Sequence, residues 1–449
     1  MFSYSKRNLF AIGIVIISLV ACKKNDEPAN GHLQQTKTFS SDVVVRWLNQ
    51  QLNMFRLPLA TGATAPSADR AFAYAGIAVY EAVVPGMPSY RSLGGQLNGF
   101  PQMPATDPGK AYHWGASANA ALAAINRNLF SNASAANKDS MNLLETSLQA
   151  QFAKEADSAT LQRSILFGRA IAQAVWDWAQ TDGTAVIAQQ TPYVIPVGTG
   201  LWTKEYTAAP AANPYHQLRR QMVTGSRDGA AAPALPFSFS TDPSSAFYAM
   251  AKEVYDISQS LDDEKRNIAF YHREGLGYGG GSSIAGQLVA VFTKANAKLD
   301  QAATTFAKVG IGSFEGLTLT FIQKYSPGFL VMRPITYIKN YMGYTSWTTL
   351  FTTPPYPEYP AGHPTNGGML AVMLASEFGS NFAFDVNYYA YLNQPSRHYN
   401  SFEELAQEMA IARVYAGIHY KPAVYAGVAL GKKVAQNILN NIQFRKDKD

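Results

Sequence analysis

Residues able to hold and work on a tetrahedral oxyanion gather in three short segments of the C-terminal third. The first runs from Lys324 to Met332-Arg333-Pro334-Ile335-Thr336. The second is Pro357-Glu358-Tyr359-Pro360-Ala361-Gly362-His363-Pro364-Thr365, and the third is Ala412-Arg413-Val414-Tyr415-Ala416-Gly417-Ile418-His419. Singly each is ordinary, since an Arg-Pro pair opens many helices and a Gly-His before a helix is a common turn. Together they make chemical sense. Two guanidinium groups hold an oxyanion in fixed fork geometry. A glycine N–H at a helix start adds a donor, helped by the helix dipole. One histidine can bond to the central atom as ligand or nucleophile, while a second moves the proton of a bound or leaving oxygen. Such donors stabilise the negative charge that grows in a five-coordinate transition state.

The trio resembles the signature of the vanadium-dependent haloperoxidases and the related type 2 phosphatidic acid phosphatases: Lys-x6-Arg-Pro, then Pro-Ser-Gly-His, then Ser-Arg-x5-His. The likeness extends over most of residues 40–441, with the specific motifs confined to 324–419. It implies an all-α helical bundle with long irregular loops and an anion pocket at its end. It also implies that Arg333 and Arg413 bind vanadate or phosphate with the Gly362 N–H, and that Lys324 adds a further donor. His363 would then be the acid–base residue, and His419 the vanadate ligand or the phosphorylated nucleophile. Three departures are visible. Ala361 stands where the family usually has Ser. Lys324 lies nine residues before Arg333, with Ser326 in the usual lysine place. Ala423 stands where acid phosphatases commonly carry an Asp that orients the histidine, which leans the reading towards the peroxidase branch. The implied activity is oxidation of halide by hydrogen peroxide with vanadate as cofactor, near a small organic substrate. A phosphatase using the same residues is the alternative. A non-catalytic binding lipoprotein is a further one, but such a protein has no reason to keep both arginines and both histidines.

Other chemistry is thinly represented. No His-Glu-x-x-His or Gly-x-Ser-x-Gly motif occurs, and the single cysteine leaves no thiolate metal site. Gly275-Leu276-Gly277-Tyr278-Gly279-Gly280 spells Gly-x-Gly-x-x-Gly, but a helical stretch precedes it where a dinucleotide fingerprint needs a strand. It reads as a loop between helices. His32, His113, His216, His272 and His398 show no partner in the sequence and read as structural or surface residues. The net charge of +6 is spread over scattered Lys and Arg, unlike the clustered runs of a nucleic-acid binder.

The N-terminus predicts an address. Lys6-Arg7, an apolar run from Phe10 and the ending Leu19-Val20-Ala21-Cys22 describe a secretory signal, and the run is short for a membrane span. The ending resembles a lipobox, which implies lipidation at Cys22 after removal of residues 1–21, a tether over 22–38 and one domain over 39–449. The expected location is the bacterial cell envelope, on an outer-membrane lipid anchor facing periplasm or surface.

The elements that must position the three segments read as helices. Hydrophobic spacing and caps predict them from Ser40 or Ser41 to Met54, from Pro66 to Val84, from Asp107 to Leu129 and from Ser158 to Asp182-Gly183. Further stretches lie at 244–259, 261–273, 284–308 and 312–324. The last helices follow His363, the Ser401-Phe402-Glu403-Glu404 capping box and Pro422. Between them, residues 183–242 hold repeated prolines and read as a long irregular segment lying across the bundle and walling a pocket.

Overall fold

The computed structural model describes residue 1 and residues 34–56, 67–205, 210–274 and 283–446. The lipobox with Cys22, His32 and the glycine-rich 275–280 run lie outside the described residues. The described chain is helical, with a single short hairpin, β1 (Phe384–Val386) paired antiparallel with β2 (Arg397–Tyr399). In chain order the helices are α1 (Asp42–Arg56), α2 (Ala68–Val83), α3 (Trp114–Leu129), α4 (Ala135–Phe152), α5 (Ser158–Ala179), α6 (Thr184–Ala188) and α7 (Ala246–Gln259). They continue with α8 (Asp263–Tyr271), α9 (Ser283–Lys294), α10 (Leu299–Lys324), α11 (Pro334–Tyr341), α12 (Gly362–Phe378), α13 (Phe402–Tyr415) and α14 (Lys421–Asn441). None of the described helices is long and apolar enough to cross a membrane.

Helix α10 is the spine. It packs on α2, which also meets α3 and α5, and on its other flank it meets α12 and α14. The run Ala71-Phe72-Ala73-Tyr74-Ala75-Gly76 explains the first contact, because α2 is buried around its whole circumference and small residues let backbones approach. A Cβ on Gly76 would stand 2.6 Å from the Phe306 carbonyl oxygen, and one on Gly310 would stand 2.5 Å from that of Phe72. Glycine in mid-helix costs about 1 kcal/mol against alanine. Here the close approach of two buried helices offsets that cost.

Two helix boundaries differ from the sequence expectation. The Asp107-Pro108 start is a turn, with Gly109 at φ +72 and Lys110 N–H donating to the Asp107 carbonyl. Helix α3 begins only at Trp114, where the His113 Nδ1 accepts from the Ala116 N–H at 3.0 Å. Nor do the stretches 284–308 and 312–324 exist as separate helices. The break falls at Asn296, at φ +46, and α10 then runs unbroken through Gly310 and Gly312, glycines that serve packing rather than termination. Helix α4 carried no sequence signal strong enough to be read.

The irregular segment lies across the bundle as expected. The Ser226 Oγ (2.9 Å) and Arg227 Nε (2.8 Å) donate to Glu315 of α10, which is fully buried. Gln323 and Ala232 exchange two hydrogen bonds at 2.9 and 3.0 Å. Farther along, Trp202 and Glu205 line a cavity of about 50 Å³ together with Arg333 and Thr353. A larger cavity of about 500 Å³ opens between Leu201, Phe237, Phe239 and Val331.

Candidate functional site

The three motif segments meet at helix ends. Arg333 is the residue before α11, whose first position is Pro334, where a missing N–H costs nothing. Gly362 and His363 open α12, with Ala361 as the cap residue. Arg413 lies in the last turn of α13, after which Gly417 at φ +77 turns the chain so that His419 comes back beneath it. Helix α14 clasps α12 closely: a Cβ on Gly431 would stand 1.9 Å from the Thr365 carbonyl oxygen, and one on Gly427 would stand 2.3 Å from that of Ala361.

His419 is buried, and so is the carboxylate that holds it. Glu358 Oε1 lies 2.8 Å from His419 Nδ1 and accepts the Tyr420 N–H at 2.8 Å. With both contacts on one acceptor oxygen, the ring proton belongs on Nδ1, and Nε2 presents its lone pair. Arg333 Nη1 stands 3.1 Å from that Nε2 and donates to the Ile418 carbonyl at 2.8 Å, while its Nε donates to the Tyr356 carbonyl at 3.0 Å. Burial, reinforced by the charges of Arg333 and Lys324, pushes the proton affinity of His419 well below the ordinary histidine range. Burial pushes the Glu358 carboxyl up to about 7 against the pull of Arg333 and Lys324. The absence of an acid at Ala423 therefore does not leave the histidine without its carboxylate, and the lean towards the peroxidase branch drawn from Ala423 falls away. The partner comes from the second segment, because the chain before α12 folds back against the turn that carries His419.

Lys324, at the end of α10, is fully buried and donates to the carbonyls of Pro357 (2.7 Å) and Glu358 (2.9 Å). Its ammonium sits 5.0 Å from the ring of Tyr356, over which the Arg333 guanidinium also lies at 4.8 Å. Burial and the neighbouring Arg333 push its proton affinity well down. The longer spacing of Lys324 thus still places it beside Arg333.

On the other wall, His363 Nδ1 lies 3.5 Å from Glu274 Oε1, which also accepts from Ser283 Oγ at 2.5 Å. Burial lowers the proton affinity of His363 against the opposing pull of Glu274. Burial would raise the Glu274 carboxyl, but His363, Ser283 and Arg413 together hold it at about 2. Arg413 donates from Nη1 to the His272 carbonyl at 2.7 Å.

Six buried polar atoms of this cluster have no hydrogen-bond partner among the described residues: Arg333 Nη2, Arg413 Nε and His363 Nε2, and behind them His272 Nδ1, Glu358 Oε2 and the Tyr420 hydroxyl. Buried polar atoms are almost always satisfied, and guanidinium donors most of all. Lys324, Arg333 and Arg413 also crowd positive charge against the carboxylates of Glu358 and Glu274. A small oxyanion would satisfy the open donors and relieve that repulsion, so the residues present fit vanadate or phosphate.

Sequence reasoning found five of these side chains and Gly362 but missed Glu358, Glu274, Tyr356 and His272. Glu358 had a readable signal, an acid between two prolines in the same segment as the Gly362-His363 pair. Glu274 had none, since it follows α8 and stands 89 residues from His363. Three of the histidines read as partnerless have carboxylate partners. His113 meets Glu155 at 3.0 Å, His272 meets Glu408 at 2.9 Å and His398 meets Asp385 at 2.9 Å, while His216 packs against Phe321.

Fold and geometry together define an all-α protein with a buried, cation-rich site assembled from helix ends. Residues 304–447 match the family profile of the VCPO second helical-bundle domain. In structure the chain is similar to the first bacterial vanadium-dependent iodoperoxidase, with a TM-score of 0.80 and 25% identity over 91% of this chain and 98% of that one. It is also similar in fold to a bacterial vanadium-dependent chloroperoxidase, in an apo structure and in a holo structure. Both give TM-scores of 0.64 at 14% identity, covering 87% and 92% of this chain and 96% and 93% of the others. No curated protein matches the sequence. The chain has the fold of the vanadium-dependent haloperoxidases, and its residues 304–447 are similar to their second helical-bundle domain.

Proposed function

We propose that the protein is a vanadate-dependent haloperoxidase that oxidises halide with hydrogen peroxide, at a site made by Arg333, Gly362, His363, Arg413 and His419. The observation that carries this reading is the set of orphaned buried atoms on Arg333, Arg413 and His363 around a His419 whose Nδ1 is already taken by Glu358. Vanadate, when bound, supplies the electrophilic centre that activates peroxide towards halide. Arg333 and Arg413 hold its oxygens as fixed cationic donors. Lys324 sits behind Arg333 and adds positive charge. Gly362 opens α12, so its N–H belongs to the first turn, whose donors lack intrahelical partners. His419 offers Nε2 as the ligand atom, and Glu358 keeps it in the tautomer that can bond. His363 exchanges a proton at Nε2, while Glu274 anchors its other nitrogen.

A second reading, hydrolysis of phosphate esters, is favoured by one observation: the Glu358–His419 pair orients a nucleophilic histidine as a phosphatase needs. Purified protein incubated with orthovanadate and assayed for dye halogenation with peroxide, beside a phosphate-ester assay without vanadate, separates the two. Halogenation that depends on vanadate and is inhibited by phosphate is expected. Ester hydrolysis without halogenation would transfer the assignment to the phosphatase.

The cellular address is likewise a proposal. Lipidation at Cys22 would hold the enzyme in the bacterial envelope, where peroxide and halide arrive from outside. Metabolic labelling with a fatty acid, lost in Cys22→Ser, is the expected result, and equal labelling of both proteins would remove the anchor.

A further inference from the structure

The small cavity beside Arg333 lies outside the cluster of histidines and carboxylates. Its volume is about 50 Å³, and its walls are two irregular stretches, 202–205 and 352–355, together with Arg333 itself. Hydrogen bonds fix both stretches. The Trp202 N–H donates to the Leu330 carbonyl at 2.8 Å, and the Ala212 N–H donates to the Pro355 carbonyl at 2.9 Å. The Trp202 side chain is fully buried, and its ring meets that of Tyr325 edge to face at 6.2 Å. Two polar groups on these walls have an atom without a partner. Thr353 is 4% exposed, and its hydroxyl is buried with no hydrogen-bond partner among the described residues. In helices such hydroxyls fall back on the carbonyl four residues earlier, as those of Thr304, Thr305, Thr320 and Thr365 do. Thr353 lies outside any helix and has no such recourse. Arg333 Nη2 is the second open atom. Buried groups of this kind are nearly always satisfied, so the cavity is built for a ligand that accepts hydrogen bonds.

Size and charge choose that ligand. Pockets for organic molecules begin at roughly 300 Å³. This cavity has room for one or two waters or a single monatomic ion. Arg333 and Lys204 line it against one acid, Glu205, so basic side chains outnumber acidic ones. Glu205 Oε1 accepts from the Thr336 hydroxyl. A guanidinium donates only, and the Thr353 hydroxyl can donate. Water or peroxide brings two protons that need acceptors, and the one carboxylate there already receives Thr336. Trp202 adds a polarisable aromatic wall, whose ring edge is positive. Cation, hydroxyl and indole together suit a large, weakly hydrated anion.

We propose that this cavity binds the halide, as bromide or iodide, with Thr353 as its hydroxyl donor. Arg333 is shared between halide and oxyanion: its Nη1 stands 3.1 Å from His419 Nε2, so the guanidinium that walls the cavity also meets the histidine proposed to anchor vanadate. Thr353 strengthens halide binding, and the charge of Glu205 weakens it. The proposal rests on the haloperoxidase reading for its purpose, but the binding itself is measured without turnover.

Crystals of phosphate-loaded protein, soaked in graded sodium bromide, read the site by anomalous scattering. Phosphate keeps bromide off the arginine pair. A bromide peak among Trp202, Thr353 and Arg333 is expected. Thr353→Val keeps the shape and removes the donor. The bromide concentration for half occupancy should rise about 10- to 100-fold, the scale of one hydrogen bond to a charged partner. Thr353→Ser should restore it. Glu205→Gln keeps an acceptor for Thr336 and should lower that concentration about 3- to 10-fold, as for one charge removed nearby. In turnover, the halide KM should follow the same order while the peroxide KM and vanadium content stay unchanged. Thermal unfolding checks that the variants are folded. No peak in the cavity, a peak only at the phosphate position, or a halide KM that no variant moves overturns the proposal. Equal occupancy in wild type and Thr353→Val would mean an adventitious ion only, and overturns it too. A rise in the peroxide KM alone would hand the cavity to peroxide. If wild-type protein oxidises no halide, the functional reading fails by itself, while the bromide occupancies still decide the site.

Discussion

The histidines of this site differ in what holds them, and the tasks proposed for them differ accordingly. His419 has Nδ1 committed to Glu358 and Nε2 beside Arg333. His363 has Nδ1 towards Glu274 and Nε2 open. His419→Ala is therefore expected to abolish both turnover and stable anchoring of vanadate. His363→Ala should retain vanadate and slow turnover by ~10²–10⁴, the usual contribution of a positioned acid–base group. Vanadium content after gel filtration, measured beside the peroxidase rate, reports the two effects separately; metal lost from His363→Ala and kept by His419→Ala would reverse the assignment. Glu358→Gln preserves an acceptor for Nδ1 but not its charge. Vanadate affinity in calorimetry should drop about 10- to 100-fold, as for other carboxylates behind a ligating histidine. Unchanged affinity would mean that the Glu358–His419 pair does not tune the ligand.

At the level of elements, the site depends on how closely α12 lies against α14. The Thr365 carbonyl comes so near Gly431 that any Cβ there meets backbone, which cannot swing aside as a side chain could. Gly431→Ala should push α12 outward, destabilise the protein by about 1–3 kcal/mol or more and weaken anion binding with it. Chemical denaturation and phosphate calorimetry on the same sample test both halves, and an unaltered midpoint would show that the contact yields easily. Ala361 offers the opposite experiment. It caps α12 with no side-chain acceptor and is fully buried beside Gly362. Ala361→Ser should tighten vanadate or phosphate by roughly 1.5–3 kcal/mol if its hydroxyl reaches the anion. If the hydroxyl turns back to cap the helix, the gain appears instead as about 0.5–2 kcal/mol of stability without anion. No change in either quantity would place the residue away from the site.

For the molecule as a whole, buried titratable groups set the response to pH. His113, His216, His272, His363 and His419 all have their proton affinity lowered, by burial first. A histidine whose folded-state pKa is depressed binds its proton more readily when unfolded. Its contribution is therefore present above about pH 6.5 and is lost as pH falls. Glu81 and Glu358, raised to about 7 by burial, act in the other sense and lose stability as pH rises from the carboxylate range to 7. Five groups oppose two across the same window, so the histidines win. The melting temperature of vanadate-free protein should fall steadily between pH 6.5 and 4.5, with proton uptake on unfolding. A melting temperature that rises towards pH 4.5 would show that the carboxyls dominate.

The residues proposed to hold the anion were legible because local chemistry demands them in short runs. An Arg-Pro helix start, a Gly-His helix start and an Arg six residues before a His are each set by one turn of chain, and the helical periods that carry them survive as spacing. Capping at Ser401 held for the same reason, with its Oγ accepting from the Glu404 N–H at 3.1 Å. What faces the back of those residues was not legible. Glu358 reaches His419 across 61 positions, Glu274 reaches His363 across 89, and Glu408 reaches His272 across 136. Those pairs exist because α12 packs on α13 and α14, and α8 packs on α13. No periodicity along the chain encodes which carboxylate lands behind which histidine. Helix packing settles that choice, and with it which ring nitrogen of His419 and His272 keeps its lone pair.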